Sequence, residues 1–195
     1  MKQTKILNAL EPVISAFEEL GISYYIGGSI ASSAYGVARA TMDVDFVTAL
    51  ELNQVDALVE KLKSSFFVDK EMIVDAIKTK STFNLLHLDT MVKIDVFILK
   101  QSPYFQKAFE RRKKDSIQEE SNSISVYLCS AEDIILNKIL WYKEGNMISE
   151  RQWLDILGVL KIQFNSLDKD YLRFWAKELQ IDDLLKKAFT ESGIE

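Results

Sequence analysis

Ile26-Gly27-Gly28-Ser29-Ile30, then Tyr35-Gly36, then Arg39-Ala40-Thr41-Met42-Asp43-Val44-Asp45-Phe46-Val47, is the stretch on which the reading of the whole sequence turns. In a strand, side chains alternate faces, so Asp43 and Asp45 point one way while Val44 and Phe46 point into a core. Two carboxylates thus converge on one spot. Like charges so close repel unless a cation sits between them, and Mg²⁺ takes hard oxygen ligands of this kind alongside phosphate oxygens. Gly27 and Gly28 permit a tight strand-to-helix turn and a close approach of backbone N–H groups to a phosphate. Ser29 adds a hydroxyl donor, and the helix N-terminus adds positive potential. The interval from Ser29 to Asp43 holds one short helix and a return to the next strand, which sets the turn beside the carboxylates.

Outward from this stretch, the pattern predicts a mixed α/β unit. Residues 4–19 read as an amphipathic helix, 22–26 as a strand, and 30–36 as a helix of small residues. Asp43–Val47 reads as the next strand, followed by helices around 52–63 and 71–79 with a short strand near 66–68 between them. Strands at about 82–88 and 91–99, a helix after Pro103, a polar stretch at 115–123 and a strand at 124–129 complete the unit. The final third is helical: Ser130 with Asp133 fits a helix cap, and Ser149 with Gln152 fits the reciprocal capping box. We expect an α+β mixed sheet with flanking helices over 1–129 and a helical C-terminal subdomain over 130–195.

Val92-Lys93-Ile94-Asp95-Val96 alternates apolar with polar, so Lys93 and Asp95 share the face opposite Val92, Ile94 and Val96. Asp95 is a candidate third carboxylate, either a metal ligand or a base, if its strand lies beside the one carrying Asp43 and Asp45. Lys138 has Ile134, Ile135, Trp141 and Tyr142 at helical spacing, so a lysine lies on a largely apolar stripe. It either contacts a nucleotide phosphate or packs its stem and sends its amine to water. Arg39 either contacts a phosphate or pairs with an acidic neighbour, while Arg151 and Asp155, four apart, most simply form a surface ion pair. His87, the sole histidine, reads as packed or exposed.

The chain has 195 residues, 48% of them apolar, and a formal net charge of -5. It is long enough to bury a core and too acidic for a protein-wide grip on nucleic acid, although Lys107 and the run Arg111, Arg112, Lys113, Lys114 form a basic patch. Cys129 is the only cysteine, which excludes an intramolecular disulfide and a cysteine-rich zinc site. No stretch is long enough to span a bilayer and the N-terminal MKQTKILNALEP lacks an apolar run, so a cytoplasmic protein is expected. No Gly-x-Ser-x-Gly elbow occurs, which removes the serine hydrolases.

At residues 26–47 and around Asp95 the chain resembles the DNA polymerase beta-like nucleotidyltransferase superfamily, marked by Gly-Gly/Ser, a short helix, Asp-x-Asp and a later third Asp. It is similar in particular to bacterial minimal and abortive-infection toxin-like nucleotidyltransferases, through Arg39 to Asp45, Glu132-Asp133, Lys138, and Arg151 with Asp155. The resemblance implies two Mg²⁺ (or Mn²⁺) ions and an NTP donor. Asp43, Asp45 and Asp95 would be the catalytic and metal-binding acids, and Gly27, Gly28, Ser29, Arg39 and Lys138 the nucleotide-binding set. The acceptor would be RNA, such as a tRNA end, or a small molecule, and a toxin would have an antitoxin partner. The contrasting reading is a non-catalytic nucleotide- or protein-binding module on the same fold.

Overall fold

A computed structural model describes residues 4–39, 41, 43–119 and 122–193. Ala40 and Met42 of the decisive run, and Glu120 and Ser121 of the polar stretch, lie outside the described residues. Two compact units emerge, one made of residues 1–27 with 40–128 and the other of 28–39 with 129–195.

The first unit carries one seven-stranded sheet, comprising β1 (Tyr24–Ile26), β2 (Asp43–Thr48), β3 (Phe66–Phe67), β4 (Thr82–His87), β5 (Lys93–Ile98), β6 (Lys113–Glu119) and β7 (Asn122–Leu128), in the order β3-β4-β5-β2-β1-β7-β6. The β2–β5 and β1–β7 pairs are parallel and the others antiparallel, so the sheet is mixed. Helices α1 (Thr4–Glu19), α3 (Val55–Leu62) and α4 (Lys70–Thr79) pack together in sequence along it. On the α1 side, Phe17 meets Phe46 edge-on at 5.6 Å and Tyr24 at 5.6 Å, so the apolar alternation of β2 supplies the core. On the opposite side of β1, Tyr25 packs at 5.7 Å against Phe109 of α5 (Pro103–Glu110), a helix begun by its proline.

Residues 115–123, a polar stretch in the sequence, run mostly in strands. Lys113–Glu119 pairs antiparallel with Asn122–Leu128 from Lys113↔Leu128 to Glu119↔Asn122, and β6 is a sheet edge, where a polar side-chain pattern discourages pairing with another chain. That edge position accounts for the polar composition of the stretch.

The second unit contains α2 (Gly28–Tyr35), α6 (Ala131–Glu144), α7 (Glu150–Gln163), α8 (Lys169–Glu178) and α9 (Asp182–Glu191). Helix α2 packs on α6 and α7. A Cβ on Gly36 would lie 2.9 Å from the backbone nitrogen of Val159, so α2 is seated by a residue without a side chain. Ser130 caps α6, accepting from the Asp133 N–H at 3.2 Å and donating to the Asp133 carboxylate at 2.6 Å. Ser149 caps α7 through the Gln152 N–H at 3.3 Å, but the reciprocal half of the expected box is missing, because the Gln152 Oε1 is buried without a hydrogen-bond partner. Cys129 is buried, its Sγ 3.9 Å from the Asn137 Nδ2. Among the described residues no helix is long and apolar enough to cross a membrane.

Candidate functional site

In the first unit, the pairing of β2 with β5 puts Asp45 directly beside Asp95 and Asp43 directly beside Lys93. Adjacent strands lie about 4.8 Å apart, and residues in register on them share a face, so the three carboxylates crowd one side of the sheet. Asp43 is exposed; Asp45 and Asp95 are half-buried. The Lys93 ammonium lies among them, 2.8 Å from the Asp95 Oδ1 and 3.0 Å from its Oδ2. Its pKa is raised, first by the hydrogen bond to Asp95 against an opposing effect of burial, then by the charges of Asp95, Asp43 and Asp45. One cation therefore feels all three acids.

The turn before this cluster is anchored by the Gly27 N–H, which donates to the Asp45 carbonyl at 2.8 Å. The two glycines differ in kind. Gly28 has φ 53°, the left-handed region that favours glycine, whereas a Cβ on Gly27 would meet only the Tyr25 ring at 3.5 Å, an ordinary contact.

A divalent ion is what this fold's resemblance implies, and the donor set can be tested for it. No group of three or more His, Cys, Asp or Glu side chains among the described residues is arranged to enclose a metal. Mg²⁺, however, is held by one or two carboxylates plus waters and substrate phosphates, not by an all-protein cage. Two adjacent carboxylates on one strand face, already drawing in an ammonium, fit that requirement.

In the second unit, Asp155 on α7 is the hub. Its carboxylate receives Arg39 Nε on Oδ1 at 2.7 Å, Arg39 Nη2 on Oδ2 at 2.6 Å and Lys138 Nζ on Oδ2 at 2.8 Å. The Asp155 side chain is 7% exposed and that of Lys138 4%. This overturns the surface-pair reading of Asp155 with Arg151, and it places the Lys138 ammonium inside the protein instead of in water. Burial works to raise the Asp155 carboxyl, but the hydrogen bonds from Arg39 and Lys138 outweigh it and hold the pKa below the usual value. The Asp155 bond likewise raises Arg39. Arg39 Nη2 also donates to the Ser29 Oγ at 2.6 Å, which leaves the Ser29 hydroxyl proton for another acceptor. Arg39 Nη1 is buried and has no hydrogen-bond partner, a costly state for a charged donor.

The remaining candidates fall elsewhere. His87 is buried, its Nδ1 2.8 Å from the Thr90 Oγ1 and its ring 4.9 Å from that of Phe66, so it is packed. Within the basic patch, Arg112 donates to the Phe109 carbonyl at 2.7 Å and its guanidinium stacks 4.5 Å above the Phe109 ring, while Lys107 pairs with Glu110 at 3.1 Å. Asp155 was missed as a site residue because its nearest charged neighbour along the helix is Arg151. The signal lay instead in Lys138, since a buried lysine needs a carboxylate.

No protein-family model matches the sequence, and no curated protein does. Among solved structures, the chain is similar to the antibiotic-resistance factor ANT(2'')-Ia in complex with adenylyl-2''-tobramycin, with a TM-score of 0.56 at 13% identity over 89% of this chain and 96% of that one. It is similar to the same factor in solution, with a TM-score of 0.53 at 14% identity over 98% and 96% of the two chains. An antigenic nucleotidyltransferase-like protein from Paracoccidioides brasiliensis gives a TM-score of 0.55 at 18% identity over 97% and 94%. The mixed sheet, its flanking helices and the helical C-terminal part together have the fold of the nucleotidyltransferases.

Proposed function

We propose that the protein transfers a nucleoside monophosphate from an NTP to an acceptor hydroxyl. The observation that carries the proposal is the register Asp43↔Lys93, Asp45↔Asp95, which collects three acids on one sheet face around a single ammonium. Asp43 and Asp45 would hold Mg²⁺ or Mn²⁺, which when bound neutralises and polarises the phosphates of the donor. Asp95 takes the proton of the attacking hydroxyl. The hydroxyl oxygen forms its bond to the α-phosphorus, the bond to the bridging oxygen breaks, and pyrophosphate leaves with the electron pair. Gly27 and Gly28 let the chain turn tightly at the end of β1. In the second unit, Ser29, Arg39 and Lys138, the residues expected to bind an anionic phosphate, form one network with Asp155. Two cations share one carboxylate there, and the orphaned Arg39 Nη1 is a donor without an acceptor.

Incubation with each α-labelled NTP and Mg²⁺ or Mn²⁺, with total RNA and a small-molecule pool as acceptors, tests this against Asp43→Asn and Asp45→Asn. Label transfer that disappears in both variants is the expected result and identifies the acceptor class. Transfer that survives either substitution removes the metal assignment. Absence of both transfer and metal-dependent NTP binding in the wild type would leave a binding module on the same fold.

A further inference from the structure

β4 continues the row of polar residues beyond the acids. Its antiparallel register with β5 sets Asn84 opposite Asp95, which in turn lies beside Asp45. The alternation of β4 is exposed Thr82, buried Phe83, exposed Asn84, buried Leu85, so Asn84 stands on the face that carries the acids. Directly opposed residues on neighbouring strands have Cβ atoms about 5 Å apart. The Asn84 amide is thus one strand spacing from the Asp95 carboxylate and about two from that of Asp45. It makes no hydrogen bond among the described residues.

We infer that Asn84 contacts the acceptor, and that the acceptor presents a second hydroxyl next to the one that attacks, as a ribose or sugar diol does. This rests on the transferase reading above. The row runs from Gly27, just past the end of β1, through Asp45 and Asp95 to Asn84 on β2, β5 and β4, and an in-line displacement needs leaving group and nucleophile on opposite sides of the α-phosphorus. With the phosphates of the donor towards the Gly27 end, the nucleophile enters from the β4 end. Asp95 meets its hydroxyl there, and the next polar group on the face is Asn84. An amide neither takes up nor releases a proton at neutral pH, but it donates and accepts hydrogen bonds together. That suits recognition of a hydroxyl that stays intact beside one that reacts, and a site built to bond a hydroxyl discriminates against an analogue without it.

The test measures acceptor KM, ATP KM and kcat for wild type, Asn84→Ala and Asn84→Val, valine retaining strand propensity should alanine unsettle β4. One arm uses tRNA with an intact terminal ribose and the same tRNA ending in a 2'-deoxyribose; the other uses the free sugars D-ribose, which carries the diol, and 2-deoxy-D-ribose, which lacks it. Equilibrium dialysis of ATP with Mg²⁺ runs beside both. In whichever arm reacts, both variants should raise the acceptor KM roughly ten- to a hundred-fold and lose the preference for the diol, with ATP binding within about twofold of wild type. An unchanged acceptor KM, or an equal rise for ATP and acceptor, overturns the role of Asn84 while leaving the transferase intact. A wild-type protein that transfers to neither acceptor overturns this inference, and one that in addition binds no ATP with Mg²⁺ overturns the transferase reading with it.

Discussion

The two charged clusters of the molecule are opposites. In the first unit, Asp43, Asp45 and Asp95 outnumber Lys93 on a partly open sheet face; in the second, a half-buried Arg39 and a buried Lys138 outnumber a buried Asp155. Surplus negative charge in contact with water is cheap to maintain and draws a cation, whereas a buried carboxylate between two cations fixes geometry and is severe to disturb. The first cluster is therefore expected to govern activity with little effect on folding. The second is expected to govern both.

Substitutions can break that contrast, and the largest effect belongs to the acids. On the proposed metal role, Asp45→Asn should lower transfer by about a thousand-fold, with thermal unfolding close to wild type, since a neutral amide relieves repulsion and would no longer hold a cation. A transition displaced downward by many degrees would instead make Asp45 a structural residue. Asp155→Ala should destabilise by about 3–5 kcal/mol in urea unfolding, because it strands the Lys138 ammonium and the Arg39 guanidinium. A loss below about 1 kcal/mol would show that water reaches these cations. The same hub sets an acid response. Its carboxyl is held below the ordinary value of about 3.9, so its contribution is complete above that pH and is lost as pH falls through the lower folded value. Wild type should lose unfolding free energy below about pH 4, and Asp155→Asn should show a flatter profile in that window. Gly28→Ala should cost about 1–2 kcal/mol through its positive φ, while Gly27→Ala should be nearly silent. Equal costs at the two positions would mean that the turn is restricted by space and not by backbone conformation. The smallest change is expected from Lys93→Met, where removal of a half-exposed competing ammonium should tighten Mn²⁺ binding by roughly two- to fivefold, read by Mn²⁺ titration.

How far the sequence could be read tracks how local the information was. The strand alternation of 43–47 and 92–96 is written within a few residues, and so are the hydroxyl caps at Ser130 and Ser149; each is legible from neighbouring residues alone. The pairing of β2 with β5 is a relation between distant segments, and Asp95 could be proposed but not located. Asn84 carried no signal, because an asparagine in an exposed alternation is ordinary until its register with Asp95 is known. The edge strand β6 was obscured by its own composition, since edge positions favour the charged residues that loops also favour. For Asp155, helical periodicity named a neighbour four residues away, whereas its partner Arg39 is far off along the chain, beyond the reach of any local rule.

The membership of residues 28–39 in the second unit has a consequence for cutting and rejoining the chain. A nick after Leu128 would sever the peptide link to everything that follows, yet α2 stays attached to the N-terminal piece and retains its seat on α6 and α7. Fragments 1–128 and 129–195, expressed separately, should find each other through that helix. Complementation would then depend on position 36, where any residue larger than glycine would collide with Val159.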